Sequence, residues 1–264
     1  MKRRQRVLGA VVALGAAAAL ALTACSSDSD TEPTPAASDP AATELLNKAA
    51  DATEALTGAH LKITVDGAIQ SINATGVEAD VNTKPTVSGK GTATLNMGGK
   101  TAEAPFVYID NAFYANVDGE GWINYGDGRS IYDVAQVLNP ETGVPSILRG
   151  LEGAKTDGTE QIDGVTATKV TGTVPAKTVA GLTGAAGEDA TTSTDPLDTT
   201  VWITDENQVA RVLVEPAQDT TLTIDISKWN TSTEVTKPTG VQTPTVRPTA
   251  PPASDEPTRE PAAG

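Results

Sequence analysis

Two segments near opposite ends of the chain alternate strictly between polar and apolar residues. They are residues 60–66 (HLKITVD) and 221–227 (TLTIDIS). A repeat of two places successive side chains on opposite faces of a strand, so each segment has one apolar and one polar face. Strands with one wet face are typical of antiparallel sheets. The pattern therefore predicts an antiparallel sheet with a buried face.

Seven further strands are predicted from β-branched and apolar runs bounded by turn residues. They lie near residues 74–82, 86–96, 102–109, 112–117, 162–174, 199–204 and 208–214. Two of them contain runs that are apolar on both faces, Phe106-Val107-Tyr108-Ile109 and Val212-Leu213-Val214. We expect both strands to be covered on both sides, because a surface strand of this kind normally keeps one wet face.

Helical spacing occurs in two places. Asp39-Pro40 is a favourable N-cap and first-turn pair, and the apolar residues after it recur at helical spacing until Gly58. Between residues 131 and 152 apolar residues again recur at this spacing, around Asn139-Pro140. The predicted fold class is α+β: an antiparallel sheet, too long to stay flat, that curls into an incomplete barrel packed on a few helices. Its interior is either a filled core or an apolar cavity for a ligand.

The chain is acidic. Its 264 residues include 34 Asp and Glu against 19 Lys and Arg, a net charge of −15, and no basic stripe follows residue 25. Nucleic-acid phosphates are bound by clustered Lys and Arg, so this composition argues against a nucleic-acid partner. Aromatic residues make up 3% of the chain, so the core must be built from Val, Ile, Leu and Ala.

The N-terminal segment has the layout of a secretory signal. Basic residues precede an apolar run over residues 7–22, and small residues then precede Cys25, the one cysteine of the chain. The alternative, a transmembrane anchor, needs about 20 apolar residues, and this run is shorter. We predict a lipoprotein signal peptide over residues 1–24, with Cys25 acylated and holding the protein at the outer face of the cytoplasmic membrane. An acylated Cys25 leaves no thiol for a disulfide, catalysis or a metal.

Composition divides the remainder into three parts. Residues 25–42 are rich in Ser, Asp, Thr, Pro and Ala and predict a flexible, lipid-anchored linker. Residues 43–236 have the length of one domain. Residues 237–264 are rich in proline and predict a disordered tail. An extended polyproline II segment that crosses cell-wall polymer or binds a partner is the alternative for this tail.

Motifs that carry catalysis are scarce. The one histidine, His60, occupies a polar position of the first strand, where a surface histidine is the simplest interpretation. It has no second His, spare Cys or Gly-x-Ser-x-Gly to act with, and the glycine-rich segments lack the Lys of a phosphate loop. We therefore predict no catalytic residue, no metal site and no cofactor. An envelope hydrolase is the alternative if two carboxylates meet across a cleft.

One segment carries a family resemblance. Residues 131–143 (IYDVAQVLNPETG) resemble the LppX/LprA/LprF/LprG family of actinobacterial envelope lipoproteins, in which Pro stands at Val134 and Asp at Glu141. Supporting matches are Trp122, Ala59-His60, Val201-Trp202-Ile203, Ser227-Lys228-Trp229 and Val235-Thr236-Lys237-Pro238. The resemblance spans most of residues 43–238.

The resemblance implies a fold related to the LolA/LolB lipoprotein carriers, with a large apolar cavity between the sheet and the helices. It implies a carrier without catalysis, which shields the acyl chains of a triacylated glycolipid or triacylglycerol while delivering the lipid through the envelope. For one branch of the family it implies a major-facilitator efflux pump as partner. The alternative is a filled-core scaffold or adaptor lipoprotein that supports an envelope transporter without holding lipid.

The candidate cavity residues are the apolar positions of the predicted strands and helices. Ordinary core packing is the competing role of each, because cavity lining and core look alike in a sequence. The candidates are Leu61, Ile63, Val65, Ala93, Leu95, Val107, Ile109, Val137, Leu138, Ile147, Leu148, Val201, Ile203, Leu222 and Ile224.

Two further segments bear on function. The loop from Thr183 to Asp198 is longer and less apolar than in the family, so ligand choice differs if this loop borders the cavity mouth. Asn139-Pro140-x-Thr142-Gly143 has two interpretations that the sequence leaves equal. One is a turn between two helices, and the other is a role in gating or in contacting a head group.

Overall fold

Eleven strands form one antiparallel sheet in the computed structural model, which describes residues 37–67, 74–97, 99–127, 135–180, 182 and 195–242. The strands are β1 (Gly58–Asp66), β2 (Ala74–Asn82), β3 (Ser88–Met97), β4 (Lys100–Ile109), β5 (Ala112–Ala115), β6 (Ile123–Asp127), β7 (Glu152–Ile162), β8 (Val165–Pro175), β9 (Pro196–Thr204), β10 (Val209–Ala217) and β11 (Thr220–Ser227). The helices are α1 (Pro40–Ala55), α2 (Val144–Arg149) and α3 (Ala176–Ala180). Cys25, the predicted signal peptide and most of the predicted tail lie outside the described residues.

The first and last strands pair with each other in the middle of the sheet. The strand order is β6-β5-β4-β3-β2-β1-β11-β10-β9-β8-β7, so the chain runs from the centre to one edge, crosses over, and returns from the opposite edge. We call β1–β6 the first half-sheet and β7–β11 the second half-sheet. The sheet is curved and does not close, which confirms the predicted α+β class with an incomplete antiparallel barrel.

Helix α1 begins where the N-cap signal predicts. The Asp39 side chain accepts a hydrogen bond from the Ala41 backbone N–H at 2.9 Å, and Pro40 occupies the first turn. The helix buries one face, made up of Ala42, Leu46, Ala49, Ala50 and Thr53. The predicted start of the domain, at residue 43, falls inside this helix.

Both outer edges of the sheet are covered by the chain itself. At β7 the Asp39 backbone N–H donates to the Ala154 carbonyl oxygen at 2.7 Å. At β6 the Asn124 backbone N–H donates to the Gln242 carbonyl oxygen at 3.1 Å. Covering an edge removes the free backbone groups through which sheets pair with other chains.

An extended segment, the C-terminal strap (residues 228–242), follows β11 along one end of the first half-sheet. The Asn230 backbone N–H donates to the Gly58 carbonyl oxygen at 2.8 Å. Further along, the Asn82 amide donates to the Thr233 carbonyl oxygen at 2.9 Å and accepts from the Thr233 backbone N–H at 3.0 Å. The predicted boundary between domain and tail, at residue 237, falls inside this strap.

The predicted helical interruption is shorter than expected. Its described part contains a single 3-10 turn at Gln136–Leu138 and the six-residue α2. Strand β7 begins at Glu152, inside the predicted interruption, and strand β6 was not predicted either. Both are the outermost strands of the sheet.

Alternation along the strands gives the sheet an inner and an outer face. Inner-face residues pack with α1 and α2 in the main apolar core. One inner row of cross-strand partners is Leu61, Ala79, Gly91, Phe106 and Ala115. The neighbouring outer row is His60, Asp80, Lys90, Val107 and Tyr114.

The two strands that are apolar on both faces are covered on both sides, as predicted. In β4, Phe106 and Tyr108 belong to the inner core, and Val107 is buried on the outer face beside Tyr114. In β10, Val212 and Val214 face the core, whereas Leu213 packs against a second apolar cluster on the outer face.

Candidate functional site

The inner face of the second half-sheet is filled. Helix α1 contacts β7 and α3 contacts β8, so the helices lie over this half. Eight of the predicted cavity residues belong to this core, and none of them is more than 5% exposed. They are Val137, Leu138, Ile147, Leu148, Val201, Ile203, Leu222 and Ile224.

The inner face of the first half-sheet is partly open. Ile63, Val77, Ala93 and Leu95 are half-buried, and we call these four residues the inner strip. The register places Ile63 opposite Val77 and Val77 opposite Ala93, so the strip crosses three neighbouring strands. Of the predicted candidates, the structure therefore brings Ile63, Ala93 and Leu95 together on one accessible apolar surface. Leu61 and Val65 share this face but are buried.

Sequence reasoning missed three residues of this surface. Val77 belongs to the strip, and Ala102 and Ala104 continue it on β4 as the partners of Leu95 and Ala93. Their strands do alternate, so the period-two signal was available for them. The two alanines add little side-chain volume to this face, because each side chain is a single methyl group.

Val107 and Ile109 do not face the core, contrary to expectation. Phe106 and Tyr108 occupy the inner face of β4, so Val107 and Ile109 point to the outer face. The run Phe106–Ile109 is apolar at every position and carries no period-two signal of its own, whereas the alternation of Ala102 and Ala104 with Thr101 and Glu103 earlier in β4 indicates the inner phase.

The outer face of the first half-sheet carries a cavity of about 860 Å³, which we call the outer trough. Polar side chains of β1, β2, β3 and β4 line it together with apolar residues, which include Ile63 and Val77 of the inner strip, and Trp122 stands at its side. His60, expected at the surface, is half-buried here, with its Nδ1 at 2.8 Å from Asp80 Oδ1 and its Nε2 at 3.5 Å from Glu78 Oε1. The trough and the inner strip therefore lie on opposite faces of the same strands.

The outer face of the second half-sheet carries an apolar cluster. A cluster of Ile162, Ala167, Trp202 and Ala210 covers it, with Leu213 and Trp229 packed alongside.

Charged side chains surround this cluster. The Trp202 indole N–H donates to Glu160 at 2.9 Å, and Lys169 Nζ lies 3.3 Å from the same carboxylate. The hydrogen bond from Trp202, followed by that from Lys169, lowers the pKa of Glu160 below its ordinary value. The hydrogen bond to Asp225 raises the pKa of Arg211. Glu160 thus pairs with Lys169, and Arg211 pairs with Asp225.

The Asn139–Gly143 segment is a tight turn whose polar groups bond to one another. The Asn139 side-chain oxygen accepts from the backbone N–H groups of Glu141 and Thr142, at 2.9 and 3.2 Å. A Cβ on Gly143 would lie 2.5 Å from the Gln136 carbonyl oxygen, so a glycine is required. Turn chemistry accounts for these residues, while residues 131–134 of the family segment and 183–194 of the long loop lie outside the described residues.

Signs of metal chemistry or of a membrane span do not appear in the described ranges. In these ranges no group of three or more His, Cys, Asp or Glu side chains is placed to hold a metal ion. No helix there is long and apolar enough to cross a membrane. Glu78 and Glu103 line the outer trough from two different strands, which is the minimum that the hydrolase alternative requires.

Comparison with known proteins identifies the family. The model of the LppX_LprAFG lipoproteins matches residues 41–235. Lipoprotein LprA of Mycobacterium tuberculosis is 34% identical over 232 residues, covering 84% of this chain and 93% of the relative. The lipoarabinomannan carrier protein LprG of Mycobacterium leprae is 31% identical over 240 residues, covering 90% and 97%.

Solved structures agree with this match. The crystal structure of lipoprotein LppX from Mycobacterium tuberculosis is 27% identical, with a TM-score of 0.58 over 75% of this chain and all (100%) of that one. The structure of LprF from Mycobacterium bovis, 21% identical, shares the fold, with a TM-score of 0.67 over 76% of this chain and 99% of that one. The chain belongs to the LppX/LprAFG family of lipoproteins.

Proposed function

We propose that this protein is a non-catalytic lipid carrier of the cell envelope, which binds the acyl chains of a glycolipid or of triacylglycerol along the inner strip. The observation that carries the proposal is the partial exposure of Ile63, Val77, Ala93 and Leu95 on an inner face that is otherwise buried. The name of the relative LprG, a lipoarabinomannan carrier, supports a glycolipid as the ligand class.

Acyl chains suit an apolar surface of this kind. Each methylene group removed from water contributes roughly 0.8 kcal/mol, so a long chain is bound by contact area without specific polar contacts. Ala93, Ala102 and Ala104 are cross-strand neighbours whose side chains are single methyl groups, and of the three Ala93 is the one that is half-buried. Ile63 and Leu95 offer branched apolar contacts on the same strip.

The setting of this carrier follows from its N-terminus and its family. We propose that Cys25 is acylated, anchors the protein at the outer face of the cytoplasmic membrane, and allows the domain to extend into the cell wall. A major-facilitator efflux pump of the same membrane is the proposed partner.

Native mass spectrometry tests the ligand. The chain without its signal peptide, with Cys25→Ser to prevent anchoring, would be purified from a lipid-rich actinobacterial host. We expect a co-purifying di- or triacylated lipid at one per protein, identified after extraction with organic solvent. A lipid-free mass together with no uptake of added glycolipid would contradict the carrier and favour the filled-core adaptor.

A pair of tryptophan substitutions tests the location. Ala93→Trp places a large ring on the inner strip, whereas Thr101→Trp adds the same ring at an exposed position of β4 that lies on the other face. We expect Ala93→Trp to lose bound lipid and Thr101→Trp to retain it, with similar circular dichroism spectra and melting temperatures. Equal lipid content in two folded variants would show that the lipid is held elsewhere.

A further inference from the structure

The outer trough is a second candidate site, and the proposed carrier function makes no use of it. Its volume of about 860 Å³ falls within the range of small-molecule sites. It opens on the face of β1–β4 that points away from the inner strip, since His60, Asp80 and Lys90 form one outer row. The polar side chains of the trough therefore point away from the strip, although Ile63 and Val77 border both surfaces.

The C-terminal strap contacts one residue that lines the trough. Lys90 lines the trough, and its Nζ donates to the carbonyl oxygen of Glu234 in the strap at 2.9 Å. Nearby, Lys237 Nζ lies 5.5 Å from the centre of the Tyr114 ring. These contacts fix the strap against the outer face beside the trough, and they hold the Lys90 side chain in place.

Trp122 distinguishes the trough from the rest of the outer face. The indole N–H groups of Trp202 and Trp229 donate to Glu160 and to the Val209 carbonyl oxygen, at 2.9 and 3.0 Å. The indole of Trp122 has no such partner within the described residues, although it is half-buried at the side of the cavity. A tryptophan with an apolar ring and a free donor is equipped to pack against and hydrogen-bond to a ligand.

The charges of the lining favour a neutral ligand. Two cations, Lys62 and Lys90, stand against three anions, Glu78, Asp80 and Glu103, so the lining has no excess positive charge with which to select an anion. A chain with a net charge of −15 also repels anions at long range. Within the described residues Lys62 and Glu103 form no ion pair, which leaves a donor and an acceptor free in the trough.

The lining is mixed, so it suits a ligand with both polar and apolar surface better than an acyl chain. Threonines and ionisable residues provide about half of it, and an acyl chain would strip water from them without supplying hydrogen bonds. Sugars meet both demands, because each hydroxyl group both donates and accepts, and the C–H face of a hexose ring packs on an aromatic ring. An open trough, unlike an enclosed pocket, also admits a chain of several such units.

We propose that the outer trough binds a neutral oligosaccharide of hexose units, one ring of which stacks on Trp122 while its hydroxyl groups bond to the Lys62 and Glu103 side chains. The site is separate from the inner strip, and it requires neither an acyl chain nor the proposed carrier activity.

Calorimetric titration with α-linked mannohexaose tests this site, using the mature chain with Cys25→Ser. We expect saturable binding that Trp122→Ala weakens by about tenfold or more, equivalent to about 1.4 kcal/mol. Trp122→Phe, which keeps an aromatic ring, should weaken binding less. Tyr125→Ala is the matched control, because Tyr125 is an exposed aromatic residue of the adjoining strand β6 that does not line the trough.

Several results would overturn the proposal. They are the absence of mannohexaose binding by the unmodified chain, equal affinity in a folded Trp122→Ala variant, and equal affinity for the anionic hexagalacturonate. The two proposals fail separately, because mannohexaose has no acyl chain. A protein that holds lipid but ignores mannohexaose refutes the trough site alone, and the reverse result refutes the lipid site alone.

Discussion

The two half-sheets share one alternating pattern but differ in what covers them. The second half-sheet is closed on both faces, by the helices inside and by the cluster around Trp202 outside. The first half-sheet is partly open on both, with the inner strip on one face and the outer trough on the other. Both proposed ligand sites therefore lie in the half of the molecule whose surfaces are left unfilled.

The difference originates in the strand to which the helices are attached. The segment before α1 bonds to the edge strand β7 through Asp39 and Ala154. Arg149 of α2 then bonds to Asp51 and Glu54 of α1, so the two helices are held together. Since α1 begins at the edge of the second half-sheet, the helices cover that half first. Strand patterns alone do not determine which part of a face remains available to a ligand.

The largest expected effect comes from truncating one apolar side chain in the core over the second half-sheet and one on the inner strip of the first half-sheet. Ile147→Ala removes a fully buried side chain of α2 and should lower the free energy of unfolding by about 2–5 kcal/mol. Leu95→Ala removes a half-buried side chain of the inner strip and should cost less, because that side chain is already partly hydrated. Urea denaturation of both variants, without lipid, measures the difference.

Equal losses of unfolding free energy in these two variants would contradict the difference between the half-sheets. They would mean that the inner strip is packed as tightly as the core of the second half-sheet, as a filled-core adaptor requires. A smaller loss of stability for Leu95→Ala that grows when lipid is present would support the difference. Lipid binding stabilises the folded state by mass action, and a variant with a weakened lipid site gains less of this stabilisation.

Much of the fold could be predicted because most strands alternate. The exceptions are the outermost strands, β6 and β7. Seven consecutive residues of β7, from Lys155 to Gln161, are exposed, so the strand carries almost no apolar signal. Strand β6 has five residues, too few for a period to be recognised. Edge strands pair on one side, and their sequences are correspondingly less constrained.

The candidate site was predicted less well than the fold, and for a different reason. Alternation placed Ile63 and Val201 on the inner face, but only helix positions decide that Val201 is buried and Ile63 is partly open. The outer trough is bordered by Lys90, which the strap holds, and the contacts of the strap with Asn82 and Lys90 join residues about 150 positions apart. No local pattern encodes such contacts.

A smaller effect is expected where the helices are joined to each other. Arg149→Met removes the ion pairs with Asp51 and Glu54, of which the Asp51 contact measures 2.7 Å. The Arg149 side chain is 38% exposed, so the loss of stability should stay under about 1 kcal/mol. Amide hydrogen exchange should nevertheless become faster in α2, because its tie to α1 is gone.

Lys48→Met is the matched control for this variant. Lys48 pairs with Glu44 within α1 at 2.7 Å, so its loss removes an ion pair without loosening one helix from the other. If both variants leave exchange in α2 unchanged, packing alone holds the helices over the second half-sheet, and the ion pairs do not contribute to its closure.

The smallest effect is expected at the outer face of the second half-sheet, where the Trp202 indole N–H donates a hydrogen bond to Glu160. The indole of Trp122, beside the first half-sheet, makes no such bond within the described residues. Bonds from Trp202 and Lys169 hold the pKa of Glu160 below its ordinary value in the folded protein. The folded state is therefore stabilised above the ordinary titration range of glutamate, and this stabilisation is lost as the pH falls through the lowered pKa.

Glu160→Gln should be slightly less stable than the unmodified chain at pH 7, and the difference should vanish in acid. Urea denaturation between pH 7 and pH 3 measures it, with Lys169→Met expected to reproduce the pH dependence. A difference that is constant across this range would show that Glu160 acts by packing, and that the closed outer face owes nothing to its charge.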